Sequence, residues 1–508
     1  MTQAILSPTD GWNRVAPSHR IGDSQCSAIQ NFIARNDKVS KFGGTNPYNQ
    51  TLLPGSVPWV ERYYGKMADG TFMKKAFCFS GNNLYYGDDG AGTLTSCKSG
   101  FSSGVFPENC VIQVSGNSVM FFFTGKDFVH YYDGNDGNVW YQSAITAKFQ
   151  QGLEWLDRMW AFEKNSSVLR YSKAFYPENH TDSTDAGEIV IGSDKDSFIR
   201  RIIILGDTLF ILKNNGFYYI EGRTPSTFGV RIVTKKYGLG AQRGVCNSGS
   251  ALVFVNEFDK EIYSFGGSET SIEMMSSEIK FAEILNHNQV ENICCIEHDN
   301  IFRLSFQHVE ATLPGIYNSH EVCFPTTERN SKGLPKWCLT KGANISYYSA
   351  WNKYGDKELV TGRGDTGKIM YHNRGKNWDT LPMEIQLRTK DKIYAEGRNC
   401  RYNYFTIDAS PQQDKTVTVR WFLNSRIKGA TSDEVAQALD GEETAIAAMA
   451  FATQTRFIDR VTVPLAYGKG NSLAIEIYDN SLGLDMDLYS MLIDYSVGEV
   501  VRNNLTGG

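Results

Sequence analysis

The feature that most constrains this chain is a recurring pair of short apolar, aromatic-rich runs joined by a tight polar turn. The pair reads AFCFSGNNLYYGDDG from Ala76, SVMFFFTGKDFVHYYDG from Ser118, RMWAFEKNSSVLRYS from Arg158 and DTLFILKNNGFYYIEG from Asp207. It returns as ALVFVNEFDKEIYSFGG from Ala251, as NIFRLSFQ from Asn300 with its return run near Glu321, and as ELVTGRGDTGKIMYHN from Glu358. Successive starts lie 42, 40, 49, 44, 49 and 58 residues apart. One four-stranded propeller blade takes about 40–50 residues. The turns suit hairpins: Gly81-Asn82-Asn83, Asn165-Ser166 and Asn214-Asn215-Gly216 place Gly and Asn where positive φ or a side-chain-stabilised bend is needed. Each hairpin is expected to be the inner or middle pair of a blade. A large sandwich or meander would produce similar spacing, and the sequence lacks the signature boxes of the common propeller families.

After about residue 376 the repeat stops. Runs such as MEIQLRTKDKIY, KTVTVRWFLN and SLAIEIYDN alternate apolar and polar residues with period two, as strands exposed on one face do. The expected fold is therefore mainly β: a β-propeller over 76–375, with five to seven blades, followed by an antiparallel β-sandwich-like domain over 376–508. Residues 1–75 are expected to form an N-terminal arm and to lend a closing strand. Two stretches read as helical. SSEIKFAEILNH places Ile279, Phe281, Ile284 and Leu285 on one face behind Ser277 as N-cap. SDEVAQALDGEETAIAAMAFATQ, from Ser432, is rich in helix formers and suggests a helical insertion near 432–454.

Composition narrows the function. The 26 Tyr, 29 Phe, 9 Trp and 47 Gly favour pleated surfaces and turns. A formal charge of −5 with both signs interspersed gives no footprint for gripping phosphates. No run is long enough to span a membrane as an apolar helix. The opening residues MTQAILSPTDGWNR carry neither the positive region nor the apolar core of a signal peptide, so folding in a cytoplasm is expected. The ten cysteines show no C-x-x-C pair, which points to buried free thiols.

No catalytic, cofactor-binding or metal-binding residues are assigned. The eight histidines form no H-E-x-x-H or H-x-H spacing, and no nucleophile elbow or phosphate-binding loop is present. Acidic groups at Asp88–Asp89, Asp133 to Asp136 and Asp194 to Asp196 carry the hard oxygens that calcium takes, but YDGNDGN from Tyr132 lacks a closing Glu and reads as a hairpin loop. Arg363-Gly364-Asp365 reads as the turn of the last repeat.

The order of the segments resembles the tail nozzle, or tail hub, proteins of short-tailed double-stranded DNA bacteriophages. The resemblance is carried by NFIARNDKVSKFGGTNPYN from Asn31, DRMWAFEKNSSVLRYSKAFYPENH from Asp157 and SFIRRIIILGDTLFILKNNGFYYIEG from Ser197. It continues through SSEIKFAEIL from Ser276, LPKWCLTKG from Leu334 and GDTGKIMYHN from Gly364. It implies a non-enzymatic virion protein, a homohexameric ring below the portal and adaptor that extends the DNA-exit channel and meets tail fibre or needle proteins. No cofactor is implied, and the genome would pass without sequence-specific binding. The competing expectations are a propeller-type glycan hydrolase or depolymerase, which needs two carboxylates in a cleft, and a non-catalytic carbohydrate-binding adhesion protein.

Overall fold

A computed structural model of the chain describes residues 2–134, 139–192, 194, 196–310, 318–351, 357–395, 398–410, 416–423, 443–450, 459–464, 469–470, 472–480 and 486–500. Five four-stranded antiparallel sheets follow one another along the chain. Blade 1 runs through Trp59–Lys66, Phe72–Ser80, Asn83–Asp88 and Thr95–Ser99. Blade 2 runs through Glu108–Val114, Asn117–Phe123, His130–Tyr132 and Trp140–Tyr141. Blade 3 comprises Phe149–Trp155, Arg158–Glu163, Val168–Tyr171 and Gly187–Val190. Blade 4 comprises Ile199–Leu205, Thr208–Lys213, Gly216–Glu221 and Gly229–Thr234, and blade 5 Val245–Ser248, Ala251–Val255, Ile262–Phe265 and Glu273–Met274.

Blades 6 and 7 share one seven-stranded sheet, in the order Cys294–His298, Ile301–Phe306, Asn318–Pro325, Cys338–Trp351, Glu358–Arg363, Ile369–His372 and Thr45–Pro47. The 14-residue strand Cys338–Trp351 does two jobs. Its first half pairs with Asn318–Pro325 as the outer strand of blade 6, and its second half pairs with Glu358–Arg363 as the inner strand of blade 7. Gly342, at φ +103°, sits at the bend, and a Cβ there would lie 2.8 Å from Trp378 Cδ1. Only glycine meets both demands. Thr45–Pro47 pairs with Ile369–His372 and supplies the outer strand of blade 7 from the other end of the chain.

All seven repeated hairpins of the sequence are the two middle strands of a blade. The protein is thus a seven-bladed β-propeller joined to a β-sandwich. The first blade begins at Trp59, ahead of the expected boundary at residue 76. Its inner strand went unread because Glu61, Arg62 and Lys66 interrupt the apolar run.

Apolar clusters glue neighbouring blades. Trp160, Phe162, Leu169, Ile202, Leu209 and Ile220 fill the space between blades 3 and 4. Trp59, Phe77, Phe79, Met120, Phe122 and Tyr132 do the same between blades 1 and 2. Each such side chain contributes about 1.5–3 kcal/mol by leaving water.

The sandwich is built from both ends of the chain. One sheet runs Phe32–Arg35, Lys38–Lys41, Asp487–Val500, Arg398–Ala409 and Asp459–Pro464, and Thr2–Leu6 also pairs with Asp487–Val500. The other runs Cys26–Gln30, Ile385–Thr389, Ser472–Asp479, Thr416–Leu423 and Glu443–Ala450. Residues 2–41 are therefore no separate arm. Their strands are integral to a domain that sequence reading placed wholly after residue 376. Ile385, Leu387, Phe405, Ile407, Ile475 and Ile493 bury between the two sheets, in a core continuous with Phe302, Phe324 and Trp337 of blade 6.

Of the two helical expectations, the short helix between blades forms without its expected cap, and the Ala-rich one needs correction. Glu443–Ala450 is a strand that pairs with Thr416–Leu423, so sheet pairing overrides the helix propensity of its alanines. Residues 432–442 and 451–454 lie outside the described residues. Of the segment after Ser276, one helical turn forms, Phe281–Ile284. Ser277 does not cap it. The Glu261 carboxylate accepts the Phe281 and Ala282 N–H groups at 2.9 and 3.3 Å.

Candidate functional site at the propeller axis

In a propeller the inner strands of all blades converge, so residues far apart in sequence meet on the axis. Here charged side chains from several blades do so. Glu108, which opens the inner strand of blade 2, accepts from Arg201 Nη1 of blade 4 at 3.2 Å. Its Oε1 also accepts from Arg243 Nε, just ahead of blade 5, at 3.2 Å. Arg243 Nη1 donates to the Pro58 carbonyl at 2.6 Å, and its Nη2 donates to the Pro107 carbonyl. Its guanidinium lies 4.5 Å from the Tyr347 ring centroid. Arg243 thus ties blades 1, 2, 5 and 7 together across the axis. Removing one member of such a buried group would strand the remaining charge.

Two cavities lie near this layer. Where the inner strands begin, a cavity of about 230 Å³ is lined by residues including Lys126, Gln150, Lys164, Arg200, Gln242 and Glu291. Further along the strands a second cavity, of about 250 Å³, is lined by Glu61, Arg201, Arg243, Asn247, Tyr347 and Ser349 among others. Glu61 accepts from Tyr347 Oη at 3.0 Å and from Ser349 Oγ at 2.7 Å. Burial pushes its carboxyl up to about 7, with the Glu108 charge adding to the shift and the two hydroxyl donors opposing it. The Tyr347 hydroxyl is pushed up by burial first and by the Glu61 and Glu108 charges second.

Of the two axial carboxylates, Glu61 lines this second cavity, whereas Glu108 lies behind the arginines that line it. Glu108 is committed to two guanidinium groups. None of these residues stood out in the sequence, because nothing in the spacing of 61, 108, 201, 243 and 347 marks them as neighbours.

The acidic clusters fare differently. Asp88 pairs with Lys75 at 2.7 Å and Asp89 with Arg62 at 2.9 Å. Asp194 pairs with Lys235 at 3.0 Å. Residues 135–138 and 195 lie outside the described residues. Among the described residues, no three His, Cys, Asp or Glu side chains are placed to hold a metal ion. Arg363 and Asp365 bond to each other through Nε–Oδ1 at 2.7 Å and Nη2–Oδ2 at 2.5 Å, which turns the tripeptide in on itself. All ten cysteines are free thiols, seven of them buried. No described helix is long and apolar enough to cross a membrane.

No family model and no curated protein matches the chain. Among solved structures it is similar to a chain of the mitotic checkpoint complex, at 12% identity and a TM-score of 0.41, over 65% of this chain and 92% of that one. It is similar to the extracellular domain of a hybrid two-component system from B. thetaiotaomicron at 10% identity and a TM-score of 0.40, over 74% of this chain and 43% of that one. The N-terminal domain of Nup159 aligns at 9% identity and a TM-score of 0.39, over 65% of this chain and 94% of that one.

Proposed function

We propose that this chain is a structural subunit of a bacteriophage tail, a nozzle or hub protein that assembles into a closed homo-oligomeric ring and extends the DNA-exit channel. The observation that carries the reading is the propeller rim. Among the described residues, the outermost strands of blades 2 to 5 each end a sheet, with one edge unpaired. They present Trp140, Tyr141, Val190, Ile232 and Met274, each between 42% and 61% exposed. Unpaired strand edges bearing large apolar side chains are natural sites for contact with another chain. Neighbouring copies of the same chain are the occupants that the ring reading supplies, and head-to-tail contacts close into rings when the rotation permits.

Two further features fit. The Glu108–Arg201–Arg243 ion pairs link blades 2, 4 and 5 across the propeller axis, so in this reading the DNA-wide passage belongs to the ring and not to the single propeller. A net charge of −5 suits a wall past which DNA slides, because few phosphate counterions would be released on contact. Portal, adaptor and fibre or needle proteins are the partners of this reading, and the virion tail is its location.

Cryo-electron microscopy of assembled tails tests the proposal. The expected result is one ring of identical copies with the outer strands of blades 2 to 5 at or near subunit contacts. A single copy, a trimeric spike or a purely peripheral position sinks it. The paired variant Val190→Glu with Ile232→Glu is expected to leave the melting temperature nearly unchanged and to abolish ring formation.

A further inference from the structure

We propose that Cys246 and Cys295 form a redox-active thiol pair, which a small disulfide reagent converts into a covalent staple between blades 5 and 6. The inference does not depend on the ring reading, since both thiols lie within a single chain. Alternation along the two inner strands aims them at each other. In blade 5, Val245 buries beside Leu212 of blade 4, so Cys246 faces the opposite way, toward blade 6. In blade 6, Cys294 Sγ lies 3.0 Å from Ser305 Oγ on one face of its strand, so Cys295 turns to the other face, toward blade 5. The backbones approach closely there. The Cys295 N–H donates to the Arg243 carbonyl at 3.0 Å, and Cys295 Sγ lies 3.5 Å from the same oxygen. A hydrogen bond joins the two thiols.

Access separates this pair from the other cysteines. Cys323 and Cys338 also stand opposite each other, on neighbouring strands, but both are fully buried in the core. Of the ten thiols only Cys97, Cys246 and Cys295 are partly exposed, and Cys78, the thiol nearest Cys97, is fully buried. Cys246 and Cys295 both line the axial cavity of about 250 Å³, which has room for a small molecule and none for a protein oxidant. A thiol within reach of a reagent, with a second thiol beside it, is the arrangement that closes a disulfide.

Exchange starts at Cys246, because burial and the bond to Cys246 hold the Cys295 thiol well above its ordinary value, against the opposing charge of Arg201. The Cys246 thiol gives its proton to water, and the thiolate attacks one sulfur of the reagent R–S–S–R. One RS⁻ leaves and a mixed disulfide remains on Cys246. Cys295 then gives up its proton and attacks the Cys246 sulfur, expelling the second RS⁻. Two electrons pass from the protein thiols to the reagent, whose two thiolates take up the two protons. The new bond crosses the seam between the five separate sheets and the shared sheet of blades 6 and 7.

Treatment of the full chain with hydroxyethyl disulfide, small and uncharged, tests the pair. The reagent is applied under native conditions, the remaining thiols are alkylated in denaturant, and the unreduced digest is read by mass spectrometry. The expected result is one Cys246–Cys295 cross-linked peptide, two fewer alkylated cysteines than the ten of the untreated chain, and a higher melting temperature. Cys295→Ser removes the resolving thiol and is expected to trap the reagent on Cys246 as a stable mixed disulfide. No cross-link in the unsubstituted chain, a cross-link between other cysteines, or a mixed disulfide there that fails to resolve overturns the proposal. So does a cross-linked chain that melts no higher than the untreated one, or a Cys295→Ser chain that carries no adduct.

Discussion

Blades 1 to 5 and blades 6 and 7 solve the same packing problem differently. The first five are separate sheets whose faces meet through apolar, largely aromatic clusters. Blades 6 and 7 are one continuous sheet, bent at Gly342 and pinned by a buried ionic cluster. Arg303 and Glu321, each 1% exposed, pair at 2.7 Å. Tyr348 Oη donates to Glu321, and Arg303 Nη2 donates to Asn373 Oδ1 at 2.9 Å. His372 lies beside the pair, with its Nε2 3.3 Å from Arg303 Nη1. The contrast teaches where directional bonding is needed. Apolar faces hold blades together without fixing their angle, whereas the shared sheet must bend at one place, accept a strand from residues 45–47 and dock on the sandwich. Hydrogen-bonded charges fix that geometry.

The comparison can be broken by substitution. The largest effect is expected at Arg303→Ala, which leaves the Glu321 charge buried without its partner and should lower unfolding free energy by about 3–5 kcal/mol in denaturant titration. The double change Arg303→Met with Glu321→Leu should recover most of that loss. A single-variant loss below about 1 kcal/mol would show that the cluster holds nothing.

Between the apolar faces of the first five blades, away from the Glu108–Arg201–Arg243 layer, the loss should follow volume instead of charge. Leu209→Ala, between blades 3 and 4, is expected to cost about 3 kcal/mol by opening a cavity. The more conservative Leu209→Met should cost less than about 1.5 kcal/mol.

Gly342→Ala tests the bend itself. Its φ of +103° and the approach of Trp378 together should cost about 2 kcal/mol. Loss of protection against hydrogen exchange should be confined to Cys338–Trp351 and its neighbours. A stability equal to the unsubstituted chain would mean that the bend is relaxed and not enforced.

The smallest effect is a pH dependence. Burial first, and the Arg303 charge second, hold His372 well below its ordinary value, so it is neutral when folded. Unfolded, it takes up a proton below about pH 6.5, and the unfolded state then binds more protons than the folded one. Stability is therefore present above that pH and falls below it, by about 1.4 kcal/mol at one unit lower. His372→Gln should flatten this part of a stability profile measured between pH 7.5 and 5.5. An unchanged slope would assign the acid sensitivity to other groups.

Much of the propeller was legible in the sequence. The middle hairpin of each blade carries its own information: two apolar runs within some 17 residues, except in blade 6, joined in blades 1 to 3 by a turn that holds Gly81, Gly125 or Asn165 at positive φ. The inner strand of blade 1 was not legible, because Glu61 and Arg62 answer to partners on blades 1 and 7 and break the apolar pattern. The alanines of 443–450 misled for a related reason. Propensity is a per-residue preference of a fraction of a kcal/mol, and pairing with Thr416–Leu423 outweighs it.

By itself, then, the sequence determined the fold class and the order of the blades, since both rest on contacts between residues close in the chain. Tertiary structure alone decided three things. It sent residues 2–41 to a sandwich whose other strands begin more than 300 residues later. It merged blades 6 and 7 through one bent strand. It gathered Glu61, Glu108, Arg201, Arg243 and Tyr347 on a common axis. Each of these depends on closing long loops around a ring, and a side chain carries no local mark of which distant partner will meet it there.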